Sequence, residues 1–205
     1  MMFIRRLGMD GPSGNCLKRI MLFLLTFGIF ISMAGASNSV YAADGNSDDG
    51  IKIEGYYEFE HPYIKELAAN ITQNVTKNRA DTRYNIIKNI FEWMDSHVKY
   101  EKPMYYNSKH YAVQTAVLRK GNCCDQARLF IALCRAAGIP HNATKFEHSD
   151  AVQFMGGNVY GHVWPAVVLE NGTQINCDTS SCCSKLDAPS WKNKGAISES
   201  YDLKM

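Results

Sequence analysis

What this sequence lacks narrows the field first. It has no block of basic residues and no interleaving of Lys or Arg with aromatics, and its formal net charge is only +2. Nucleic acid is therefore not an expected partner. Its long apolar run, Ile20 to Met33, has fourteen residues interrupted by Thr26, Gly28 and Ser32. A membrane-crossing helix needs roughly 20. No internal repeat is visible, so the chain is not read as a repeat array. Seven cysteines are present, but not in the paired C-x2–4-C spacing of a zinc ribbon. Nor do carboxylates cluster in a way that dictates a metal site, and none is assigned.

What is there begins with a targeting pattern. Arg5, Arg6, Lys18 and Arg19 place positive charge ahead of the apolar run. Small residues follow, with cleavage expected after Ala42 (Val40-Tyr41-Ala42) or after Ala36 (Ala34-Gly35-Ala36). That order of regions marks a secretory signal, with an uncleaved signal anchor as the alternative. Either way the remainder is expected to be secreted or held at the cell surface, meeting a membrane only through the signal segment. The expected organisation is a signal over residues 1–42, a flexible leader over 43–60 and one catalytic domain over 61–205. A length of 205 residues with 46% hydrophobic content gives that domain a real core.

Export changes how the cysteines read. Cys16 leaves with the signal, and Cys123, Cys124, Cys134, Cys177, Cys182 and Cys183 remain. An even number outside the cell favours disulfides, yet two vicinal pairs fit an ordinary framework poorly. One bridge from Cys134 or Cys177 to the 182–183 pair, and six reduced thiols in an anaerobic setting, both stay open. The sequons at Asn70, Asn74, Asn142 and Asn171 are compatible with a glycosylated surface.

Helical spacing starts after His61, with Ile64, Leu67, Ala68 and Ile71 on one face. Asp81 or Thr82 is placed to cap a second helix, whose stripe is Ile87, Ile90, Phe91, Met94 and Val98, with Trp93 at its margin. Both helices read as scaffold. Pro103 opens a polar, aromatic loop that leads into a short helix over Ala112 to Leu118. In that loop Tyr106 and Asn107 are candidates for an oxyanion donor or a substrate platform. Core packing is the alternative for its aromatics. After Pro140 the pattern turns to strands: His141 to Phe146, a Gly156-Gly157 loop, then Gly161 to Leu169, turned by Glu170-Asn171-Gly172 and returning as Thr173 to Asp178. Pro165 has no N–H for a ladder and is expected at an edge or bulge. The tail from Ser180 reads as irregular, with Trp191 as its anchor.

Chemistry concentrates at Gly121-Asn122-Cys123-Cys124-Asp125-Gln126-Ala127. A glycine turn sets Cys123 on the first turn of a helix that continues through Leu129, Phe130, Leu133 and Ala137 and stops at Gly138 and Pro140. Unpaired backbone N–H groups and the helix dipole favour thiolate there, although a buried structural cysteine opening a core helix looks the same. His162 and Asp178 tip the balance. They lie at the two ends of one hairpin, with their midpoint at Glu170. A strict Asn171-Gly172 turn would misplace them by three positions, roughly 10 Å, so a longer loop or a bulge is expected. Thiolate, imidazole and carboxylate in this order are the parts of an acyl-transfer site: a nucleophile, a base and its orienter.

These motifs carry a resemblance. Gly-x-Cys-x-x-x-Ala, Arg135-Ala136-Ala137-Gly138-Ile139-Pro140, Gly-His-Val-Trp and Cys-Asp-Thr-Ser together are similar to the transglutaminase-like cysteine protease superfamily. Tyr106-Asn107-Ser108-Lys109 and Val159-Tyr160-Gly161-His162-Val163-Trp164 resemble, more closely, the pseudomurein endoisopeptidases of methanogens and their viruses. The resemblance spans residues 61 to 195. It implies a papain-like α+β fold with the nucleophile helix packed on a small antiparallel sheet, and a triad of Cys123, His162 and Asp178. It also implies hydrolysis, through an acyl-thioester, of Ala–ε-Lys isopeptide bonds in the peptide of archaeal pseudomurein. No cofactor is required by such a triad, though calcium is an associated divalent cation, and a monomer is expected. Three departures stand out: there are no repeated wall-binding modules, a second thiol sits at Cys124, and no arginine follows Ile-Pro in Asn142-Ala143-Thr144-Lys145. Alternatives are a transglutaminase-like acyltransferase, a general protease of surface proteins, a non-catalytic binding module and a metal-binding cysteine cluster.

Overall fold

The computed structural model describes residues 58–101 and 110–201. The signal, most of the leader, Tyr106 and Asn107 lie outside the described residues. Helix α1 (Pro62–Thr72) starts where His61 Nδ1 accepts the Tyr63 N–H at 3.2 Å, with Pro62 at a position whose N–H would have no helical partner. Helix α2 (Thr82–His97) buries the expected stripe plus Ile86, and Trp93 packs half-buried against it. Asp81 occupies the cap position without a side-chain cap bond. Thr82 Oγ1 closes that turn instead, accepting the Arg79 N–H at 2.8 Å.

Strand β1 (Lys99–Tyr100) pairs in parallel with β2 (Lys120–Gly121), and α3 (Ala112–Leu118) lies between them in sequence. Helix α4 (Cys123–Ala136) follows at once and is the centre of the fold. Every residue from Cys123 to Arg135 is buried. Its apolar residues Leu129, Phe130, Leu133 and Cys134 join the core with α1 and α2, while Ala127 and Ile131 face Phe146 and Val163 of the sheet.

The sheet is built on β3 (Thr144–Gln153) and β4 (Val159–Val168), antiparallel, with β5 (Gln174–Asn176) on the far side of β4. The tail is not irregular throughout. Its β6 (Lys192–Asn193) and β7 (Ser198–Ser200) pair in succession with the other edge of β3. His141–Ala143 is a single helical turn, so β3 starts only at Thr144. Pro165 is a further correction, because β4 is an interior strand. The proline fits because β5 has ended at Asn176, and only the Cys177 N–H reaches back, to the Pro165 carbonyl at 2.9 Å. Its own missing N–H therefore falls beyond the paired part of β5.

All six described cysteines are free thiols. Cys134 and Cys177 are fully buried in the main core and Cys182 and Cys183 are exposed. The bridge considered between those two sets is not formed.

Gly121 joins β2 to α4 in a space that admits no side chain. A Cβ there would lie 2.6 Å from Asp125 Cβ and 3.1 Å from Thr115 Cγ2. Neither neighbour is the far end of a flexible chain, so Gly121→Ala must push α4 away from α3. Overpacking of this kind costs about 1–3 kcal/mol, and a fall of that size in urea denaturation is the expected outcome.

Candidate active site

The start of α4 is fixed by reciprocal bonds. Asn122 Oδ1 accepts the Asp125 N–H at 3.0 Å, and Asp125 Oδ2 accepts the Asn122 N–H at 3.1 Å. This capping box satisfies two of the helix's open donors. Asp125 Oδ1 also accepts the N–H of His110, from the segment before α3, at 3.0 Å. Gln126 donates to the Gly121 carbonyl at 3.0 Å and accepts from Thr179 Oγ1 at 3.3 Å, tying α4 to the loop after β5. Cys123 is thereby held at the first helical position, 6% exposed.

His162 sits on β4 opposite Ser149. Its Nε2 donates to Asp178 Oδ2 across 3.0 Å, with both groups buried. The hairpin achieves this by a route that the midpoint argument only half anticipates. The β4–β5 register pairs Ala166 with Asn176 and Val168 with Gln174, and the turn is one residue longer than a two-residue hairpin, closed by Leu169 N–H to Thr173 O at 2.8 Å. Continued, that register sets Asp178 opposite Trp164. The carboxylate therefore meets His162 on the diagonal, one step along the same face, within the reach of a long side-chain pair.

Aromatic rings wall in the imidazole. Trp164 stacks on it with centroids 5.8 Å apart, and Phe154 and Trp191 present their edges at 5.2 and 5.5 Å. Trp191 Nε1 also donates to Asp178 Oδ2 at 2.7 Å, while the Ser180 N–H and hydroxyl donate to Oδ1 at 2.9 and 2.7 Å. Trp191 anchors the tail as expected, and does so through the carboxylate. Glu147 holds Trp164 in turn, accepting its indole N–H at 2.6 Å.

Charge follows from these contacts. Burial resists ionisation of Asp178, but His162 and the neutral donors around it hold its carboxyl well below the usual carboxylate range. Burial likewise opposes protonation of His162, and the Asp178 charge overcomes it, raising the imidazole to about 9. The Cys123 thiol falls to about 4, above all because the Cys124 thiol hydrogen-bonds it. Burial opposes that fall, and His162 and the Val163 N–H reinforce it. Cys124 is pushed up by the same hydrogen bond and by burial. With Nε2 committed to Asp178, Nδ1 is the imidazole atom that serves the sulfur. The result is a thiolate–imidazolium pair, ready to attack a carbonyl and to return a proton to a leaving group.

The Transglutaminase-like superfamily profile matches residues 65–179, from α1 to the residue after Asp178. The chain belongs to the transglutaminase-like superfamily. Its α+β arrangement, a buried helix opened by cysteine and packed on an antiparallel sheet, is the fold of that superfamily. A Cytophaga hutchinsonii protein provisionally described as a cysteine protease is similar at 23% identity over 71% of this chain, with a TM-score of 0.49; the chain spans half the length of that protein, 50%. Legionella pneumophila LapG is similar at 16% identity, over 64% of this chain and 80% of its own, with a TM-score of 0.45. Its calcium-bound form matches at 15% identity over the same shares, 64% and 80%, with a TM-score of 0.46. No curated protein sequence matches significantly.

In this superfamily member one cluster among the described residues has metal-donor character. Glu101, His110 and Asp125 bring one donor atom each within 4.8 Å of one another. Their oxygens are already engaged: Glu101 with Lys120 at 3.2 Å and His110 at 2.8 Å, Asp125 with the Asn122 and His110 N–H groups. Calcium takes about six to eight oxygen ligands, and an imidazole suits softer ions. The cluster does not fit calcium.

The structure brings Cys123, His162 and Asp178 together. Tyr106 and Asn107 fall outside the described residues. Trp164, Trp191 and Ser180 escaped sequence reasoning as site residues, because each acts on His162 or Asp178 from a point that only the register and the tail's return define. The Trp of Gly-His-Val-Trp, two residues from His162 and so on its face, was the available signal.

Removing the Asp178 charge should lower His162 and, through the lost imidazolium, raise Cys123. In the wild type, iodoacetamide alkylation of Cys123 should gain its thiolate rate on an acid limb near pH 4. In Asp178→Asn that limb should move up by roughly 1–3 pH units.

Proposed function

We propose that this protein is an exported cysteine hydrolase that cleaves isopeptide bonds between alanine and the lysine ε-amine in pseudomurein cell-wall peptide. Cys123 attacks the acyl carbon, His162 moves the proton, and Asp178 fixes the imidazole and stabilises its charged form. The observation that carries the reading is the buried, hydrogen-bonded run from Cys123 through His162 to Asp178 at the N-terminus of a helix buried from Cys123 to Arg135. The order of events follows from the charges. The thiolate adds to the scissile carbonyl, His162 gives its proton to the departing lysine amine, and the resulting thioester is hydrolysed by water that the now neutral imidazole deprotonates. The pseudomurein assignment rests on the Tyr106-Asn107-Ser108-Lys109 and Val159–Trp164 motifs. Export rests on the charged, apolar and small-residue order of the first 42 residues.

The test is incubation of the purified protein with pseudomurein under reducing conditions, following release of lysine ε-amines. Cys123→Ala should abolish release. Cys124→Ala should keep it while moving the acid limb of the pH profile upward from about 4, because the Cys124 hydrogen bond is the largest influence holding Cys123 down. The alkaline limb should fall near pH 9, where His162 loses its proton. Release that survives Cys123→Ala removes the proposed nucleophile. A folded wild type whose Cys123 alkylates but which frees no amine removes the pseudomurein assignment.

A further inference from the structure

The vicinal thiols Cys182 and Cys183 lie outside the run from Cys123 through His162 to Asp178. Both are exposed, and their sulfurs meet at 3.1 Å. Neighbouring side chains of an extended segment point to opposite faces, so a vicinal pair meets only where the backbone turns. Here it does. The Ser184 N–H binds the Ser181 carbonyl at 3.2 Å, which makes Cys182 and Cys183 the two central residues of a tight turn. Cys183 takes a φ of +68°, the left-handed conformation that such a position ordinarily gives to glycine. The turn is also pinned from the tail. Ser190 Oγ donates to the Cys182 carbonyl at 2.7 Å, and the Ser190 N–H binds Ser184 Oγ at 3.1 Å. A strained backbone and a serine clasp thus hold two exposed sulfurs against each other.

A disulfide bond is about 2.05 Å long, so these sulfurs stand roughly 1 Å beyond bonding distance. We propose that Cys182 and Cys183 form a reversible redox modification site, which a low-molecular-weight disulfide oxidises to a disulfide ring between the adjacent residues. One sulfur, as thiolate, attacks a sulfur of the reagent. The new S–S bond forms, and the first small thiolate leaves with the electron pair and takes up a proton. The neighbouring thiol then gives up its own proton and attacks the protein sulfur of the mixed disulfide. That step expels the second small thiolate, which is protonated in turn. Overall the pair loses two electrons and two protons, and the reagent gains both as two small thiols. Adjacent Cα atoms stand about 3.8 Å apart, short of the roughly 4.4–6.8 Å that ordinary bridges span. Such a ring carries strain, and strained, exposed disulfides are the labile kind that small thiols reopen. Cys134 and Cys177, fully buried in the main core, are closed to the reagent.

The test equilibrates the purified protein with stepped mixtures of reduced and oxidised glutathione and quenches it with N-ethylmaleimide. Cleavage before aspartate then releases segment 178–186, whose only cysteines are this pair. At the oxidising end that peptide should be lighter by two hydrogens and carry neither glutathione nor maleimide. Excess reduced glutathione should return a peptide with two maleimides. Cys183→Ser leaves one thiol in the turn, and should lose the ring and keep glutathione on Cys182. Cys123→Ala should close the ring as the wild type does, because the nucleophile has no share in it. A wild-type peptide that retains glutathione on one cysteine, takes two maleimides in every mixture or is cross-linked to a second chain overturns the proposal. So does a ring that persists in excess reduced glutathione, since the bridge is then structural. Loss of the ring in Cys123→Ala overturns it as well, by moving the redox chemistry from the turn to the nucleophile.

Discussion

A buried carboxylate sets the terms for this structure. Asp178 is 1% exposed, and an ionised group at that depth is tolerable only if its oxygens are met by donors and its charge by a cation. Each requirement reaches a different part of the chain. The cation is His162 on β4, the donors are Ser180 in the following loop and Trp191 in the tail. Removing one partner from such a buried arrangement costs about 3–5 kcal/mol. The carboxylate thus draws sheet, loop and tail onto one imidazole.

The imidazole in turn governs the thiol. A cation beside the first turn of α4 adds to the helix N-terminus and to the Cys124 and Val163 donors, and together these outweigh a burial that would otherwise keep Cys123 protonated. The same burial acts on Cys134 and Cys177 with nothing to oppose it strongly, and their thiols are pushed up. Four buried cysteines, two in the main core and two in the small cluster under the sheet, therefore divide into one acid and three inert ones by their neighbours. The vicinal pair illustrates the division at its sharpest, since Cys124 holds its proton by lending it to Cys123.

Much of this was legible beforehand. Helical period marked α1, α2 and α4, and the Gly121–Ala127 stretch announced a helix start with a thiol on it, because capping chemistry and glycine turns are local. The reading weakened where strands had to find partners. Pro165 is interior because β5 stops short, a matter of strand length that its own residues do not disclose. The polar tail supplies β6 and β7 because β3 offers an open edge, and an edge is a property of the sheet. Tyr100 gave no local sign of approaching Cys123, because its neighbour is set by a two-residue parallel pairing across an intervening helix.

By itself the sequence determined the composition of the site and the order of its parts: a cysteine at a helix start, then a histidine and an aspartate on the arms of one hairpin. Spacing and turn chemistry suffice for that, since both act over a few residues. Only the tertiary structure decided how those parts touch. It chose the diagonal by which Asp178 meets His162 and the tail residue that shares the carboxylate. Each of these depends on register and on the return of distant chain, where a shift of one residue turns a side chain to the opposite face.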